Sequence, residues 1–169
     1  NKEAKFIGRF YFHPRLTGTG SPNIFIAYSD ESATELFSVN YDHGSKAITV
    51  DATAAAGGVS ASTSVTGEFW HLIEFSWVSG ETGSLWVDAD ATNDVASATF
   101  ASGTGTVESV RLGAPNGLDG LTGEVFFDDY VSNRMSAIGG VLTGDANLDG
   151  SFDQADIDAH ADQSRYKST

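Results

Sequence analysis

The sequence predicts an all-β protein built as an antiparallel sandwich, and three observations carry that prediction. Short apolar runs with period-two alternation recur about every 8–12 residues, separated by turn-forming clusters of Gly, Pro, Asn, Asp and Ser. The 169 residues include 19 Gly and one Met, with many Ser, Thr and Ala, which suits strands and turns better than helices. Helical periodicity is absent before residue 153.

Lys5 to Phe12 opens as a strand, with Phe6, Gly8, Phe10 and Phe12 on one face and Lys5, Ile7, Arg9 and Tyr11 on the other. Pro14 and the Gly/Thr-rich run to Pro22 are expected to break it. Asn23 to Tyr28, Glu35 to Tyr41 and Lys46 to Val50 follow as strands, with turns at Asp30-Glu31-Ser32 and Asp42-His43-Gly44. Between Asp51 and Gly67 the composition thins to small residues, with a strand expected around Val59 to Thr66. The densest core sequence is Glu68 to Val78, which alternates Trp70, Leu72, Glu74 and Ser76 against His71, Ile73, Phe75 and Trp77. It turns at Gly80-Glu81-Thr82-Gly83 and returns through Ser84 to Asp88. Val95 to Phe100, Val107 to Leu112 and Gly123 to Val131 complete about ten or eleven strands.

Composition narrows the partners. With no Cys there is no disulfide framework or thiolate metal site. No apolar run of about 18 residues predicts a membrane span. Nine basic against 23 acidic residues give a net charge of −14, which disfavours nucleic acid and anionic membrane surfaces and favours divalent cations. The chain begins at Asn1 with neither initiator Met nor signal peptide, as expected of a processed secreted form or an excised domain.

Asp145 to Asp156, read DANLDGSFDQAD, fills the ligand ladder of an EF-hand-type loop. Asp145, Asn147 and Asp149 stand at places one, three and five, the Ser151 backbone carbonyl at seven, and Asp153 and Asp156 at nine and twelve. Ca²⁺ takes six to eight hard oxygens, and Gly150 at the sixth place allows the sharp bend that lets alternate side chains converge. Six aspartates between Asp145 and Asp162 repel one another until a cation is bound. Asp153 to His160 is expected to form a short helix leaving the loop. The implied cofactor is calcium.

The same stretch, Gly144 to Asp156 with Phe152 at place eight and Asp at place twelve, resembles one repeat of a dockerin. That family docks cohesins through two such repeats, and one is found here. Upstream, Trp70-His71, Gly83 to Asp88, Arg111-Leu112-Gly113-Ala114 and Gly123 to Tyr130 resemble the concanavalin A-like and laminin-G-like jelly-roll superfamily. The resemblances imply an antiparallel jelly-roll β-sandwich over residues 1–133 and a calcium-binding tail over 144–169, and the composition between them reads as a linker over 134–143 with Gly139-Gly140 as hinge.

Glucanases of that superfamily carry Glu-x-Asp-x-x-Glu on one strand, holding two carboxylates about 5 Å apart. Glu74-Phe75-Ser76 and the Glu124, Phe126, Asp128 face do not fill it, and the four His lack metal-ligand spacing. No catalytic residue is therefore expected, and His71 reads as a strand residue bonded to a neighbour. Asp128 and Asp129 are candidates for a second calcium site, with Glu3 as co-ligand, provided a bulge lets adjacent side chains share a pocket. Sugar binding needs exposed aromatics, with Trp77, Trp86 and Tyr130 as the chosen candidates among Trp70, Tyr11, Tyr28 and Tyr41. At least one of Trp70 and Trp77 must be core. The expected function is a non-catalytic extracellular or cell-surface assembly protein whose calcium-ordered tail grips a partner or a second copy, with Lys5 to Phe12 offered as a free strand for pairing. The alternative is a carbohydrate-binding module of a secreted polysaccharide-processing system.

Overall fold

The structure is a computed structural model, and it describes residues 3–29, 34–53, 59–65, 68–88 and 97–135. The chain divides into two units, Asn1–Ile138 and Gly139–Thr169, and every described residue belongs to the first. The calcium ladder and the helix expected after it lie outside the described residues.

Among the described residues ten strands follow in order: β1 (Lys5–Thr17), β2 (Asn23–Tyr28), β3 (Glu35–Asp42), β4 (Ala47–Ala52) and β5 (Val59–Ser64). The second half supplies β6 (His71–Val78), β7 (Thr82–Val87), β8 (Ser97–Ala101), β9 (Ser109–Leu112) and β10 (Thr122–Asn133). They form two five-stranded antiparallel sheets, ordered β10-β1-β6-β7-β8 and β5-β4-β3-β2-β9. No helix occurs among the described residues.

The inner faces of both sheets meet in one core, as expected of a sandwich of two half-buried sheets. Phe25 of β2 lies 4.7 Å from Phe75 of β6 between ring centroids, and Phe37 of β3 stacks on Trp77 of β6 at 6.1 Å. Period-two alternation does the sorting. Phe6, Phe10, Phe12 and Leu16 of β1 enter the core, as do Ile73, Phe75 and Trp77 of β6. Gly8 keeps this inward rhythm without a side chain because the Phe75 ring takes the space, 2.6 Å from where a Cβ would stand.

Two expectations for the first strand are corrected. Pro14 does not end β1, which runs on to Thr17. The ladder with β6 stops at Phe12↔His71, so beyond it β1 pairs with β10 alone and accommodates a residue that lacks an N–H. Nor is Lys5 to Phe12 a free strand. It is interior, hydrogen-bonded to β6 on one side and β10 on the other, while β10 takes the edge.

Gly123 shows how tightly that edge is set. Its φ is +121°, and a Cβ there would run into the Arg15 carbonyl of β1. Gly123→Ala is expected to cost about 2–3 kcal/mol through combined strain and clash. Thermal melting would show this as a lowered midpoint, and an unchanged midpoint would sink the register assigned to β1 and β10.

Candidate functional site

β1 and β10 pair in a register that sets His13 opposite Phe126 and Arg15 opposite Glu124. Phe12 and Leu16 point inward, so His13 and Arg15 point outward by alternation. Trp70 directly precedes β6, whose first pairing is His71↔Phe12, and it therefore reaches His13 from the other side. The result is a row of rings across three strands at one end of the outer sheet face. The His13 and Trp70 ring centroids are 5.3 Å apart at 71°, and those of His13 and Phe126 are 6.0 Å apart at 82°. Both outer rings thus stand edge-to-face with one imidazole, a favoured aromatic geometry.

The row is open to solvent. Trp70 is 49% exposed, Phe126 38% and the adjacent Phe69 68%. His13, Arg15, Trp70 and Phe126 line a shallow cleft of about 250 Å³. Arg15 and Glu124 approach to 3.9 Å with both side chains largely in water, so water screens the pair and leaves both groups ready to bond something else. The Nδ1 of His13 is buried and has no hydrogen-bond partner among the described residues.

The aromatics chosen from the sequence fall elsewhere. Trp77 is corrected: it is fully buried, and its indole Nε1 donates to the Ser102 carbonyl at 2.7 Å, so it offers no face to a ligand. Trp86 is half-buried on β7 opposite Glu74. Tyr130 is partly exposed on β10, with its ring 6.4 Å from Phe25. Burial pushes the Tyr130 hydroxyl above its ordinary pKa, only partly offset by a bond with Ser132, so it stays protonated. β1 and β6 separate the strands of Tyr130 and Trp86, so these two do not form one site. Tyr28 and Tyr41 are buried.

Sequence reasoning named Trp70 among its aromatics but missed His13, Arg15 and Phe126. A signal existed for one of them. Phe126 and Phe127 are adjacent on a strand, so one must face out, and Phe127 packs against the core.

The acids at the centre of β10 sit on a bulge. Arg9 pairs with Val131 and Tyr11 with Asp128, leaving Asp129 and Tyr130 opposite Phe10 alone. Asp129 adopts φ 48°, and its carboxylate holds the buried Arg9 guanidinium at 2.8 Å. The Asp128 carboxylate accepts the Asp129 amide at 2.8 Å. Glu3 pairs with Arg134 at 2.6 Å. Among the described residues no group of three or more His, Cys, Asp or Glu is placed to hold a metal ion. The residues of the first candidate site, Asp145, Asn147, Asp149, Ser151, Asp153 and Asp156, lie outside the described residues.

His71 joins the start of β6 to the end of β7. Its Nδ1 lies 2.7 Å from Asp88 Oδ2, and Asp88 Oδ1 accepts the Leu72 amide at 2.9 Å.

No family model and no curated relative matches this sequence. Among solved structures the chain is similar to the mouse laminin alpha1 chain, domains LG4-5, at 12% identity and a TM-score of 0.44. The likeness covers 80% of this chain and 38% of that one. A likeness of that depth assigns neither site nor function, which have to be read from the residues.

Proposed function

We propose that the protein is a non-catalytic, extracellular carbohydrate-binding module. The observation that carries this is the exposed Trp70–His13–Phe126 row with Arg15 and Glu124 at its side. Aromatic rings present flat apolar faces that suit the C–H face of a pyranose, and a few polar groups beside them fix orientation by bonding hydroxyls. Arg15 supplies donors and Glu124 acceptors, which together match the mixed demand of vicinal hydroxyls.

In affinity gel electrophoresis against immobilised polysaccharides, Trp70→Ala is expected to lose at least about tenfold in retardation on any gel that holds the parent. Its melting temperature should stay within a few degrees, since the ring is half in water. Equal retardation of variant and parent would overturn the site.

The calcium ladder of Asp145 to Asp156 supports a second role, attachment. In this reading the sandwich holds a glycan while the tail, loaded with calcium, engages an extracellular protein or a second copy. Light scattering at millimolar calcium and high protein concentration tests the second-copy version, which a persistent monomer would eliminate.

A further inference from the structure

The spacing of the row carries an inference about which glycan it takes, and this inference rests on the carbohydrate reading above. Phe126 and His13 are paired across β10 and β1, and Trp70 stands just before β6 on the other side of His13, so the two outer rings are about two strand spacings apart, about 10 Å. His13 sits between them, edge-to-face with both, and keeps them apart. Each outer ring is between a third and a half exposed, which leaves part of its surface open to a ligand.

In an extended chain of equatorially linked pyranoses, successive rings are turned over. Every second unit therefore presents the same apolar face, and the separation between such units matches the separation of Phe126 and Trp70. The row is also open where it meets β10, because among the described residues that edge strand pairs only with β1. A chain can thus lie across the strands and continue past the site, so no chain end is required.

Charge selects further. Among the described residues Arg15 is the only Lys or Arg lining the cleft, and Glu124 faces it at 3.9 Å. Asp128 follows on the same strand, the Asp129 charge being met by Arg9, and the protein carries −14 overall. Sulfated or uronic chains would meet net repulsion, whereas hydroxyl groups can use Arg15 and Glu124 together.

We propose that this face binds the interior of a neutral, extended, β-linked pyranose polysaccharide, stacking units i and i+2 on Trp70 and Phe126. The test is isothermal titration of the full chain with neutral β-1,4-linked gluco-, manno- and xylo-oligosaccharides of one to six units. Affinity is expected to rise by about fivefold or more between two and three units, where the second ring is first engaged. In Phe126→Ala that step should vanish while weaker binding through Trp70 persists. A carboxylated or sulfated chain should bind more weakly than its neutral counterpart. Binding without a step at three units, or stronger binding of the anionic chain, would overturn this inference and leave the carbohydrate reading standing. Absence of binding to every glycan, neutral or charged, would remove both.

Discussion

Replacing Trp77 by Ala is expected to bring the sandwich close to unfolding, the largest stability effect of any single truncation considered for this chain. The indole is fully buried, stacks on Phe37 across the two sheets, and donates its N–H to the Ser102 carbonyl at 2.7 Å. Truncating a buried Trp costs about 3–5 kcal/mol in lost transfer energy and cavity formation. Leaving the Ser102 carbonyl without its donor adds about 1–3 kcal/mol. A domain stable by about 5–15 kcal/mol cannot absorb much of that. Thermal or urea denaturation followed by circular dichroism gives the readout, and a midpoint near that of the parent would contradict the core placement. The contrast with Trp70→Ala is informative: one tryptophan should govern stability with no direct role at the ligand, the other binding with little effect on folding.

Asp145→Ala is expected to reduce calcium affinity by at least about tenfold in isothermal titration. Asp145 stands at the first place of the ladder, where a charged oxygen opens the coordination sphere. Its loss removes one anionic ligand from a hard cation, and charge count is one of the quantities that tune such loops. The parent should bind calcium with proton-independent heat near neutral pH, since carboxylates are already ionised there. An isotherm identical in parent and variant would eliminate the loop as a calcium site. Glycan retention measured in chelator then asks a separate question, whether the cleft on the sandwich works without the tail. Since the described residues that line the cleft, His13, Arg15, Trp70 and Phe126, all belong to the sandwich, retention is expected to be unchanged.

Much of the strand pattern was legible because alternation is a local property. Asn23 to Tyr28 was read with its bounds as they stand, and the inward sets Phe6, Phe10, Phe12 and Ile73, Phe75, Trp77 follow from counting by two. The expectation that one of Trp70 and Trp77 must be core holds, and counting already put them on opposite faces. Which face was inward depended on the partner sheet. Phe25 and Phe37 arrive from β2 and β3 to cover the Trp77 side, and nothing near Trp77 in sequence announces them.

Strand extent was harder to read, as β1 shows. A proline is a fair stop signal when both neighbours of a strand demand hydrogen bonds, yet here one ladder had already ended at Phe12. His13 and Arg15 lie beyond the expected strand end at Phe12, and only the continuation of β1 to Thr17 brings them to the site.

The sequence by itself determined the class of the fold, the composition of its core and the oxygen ladder at Asp145–Asp156, because each is written in spacings of a few residues. Only the tertiary structure decided the candidate face. Residues 13, 70 and 126 meet through the registers β1↔β10 and β1↔β6, which are fixed by packing between strands far apart in the chain. A shift of one residue in either register would turn Phe126 or Trp70 to the other face of the sheet. The site is a product of register, and register is a property of the assembled sheet.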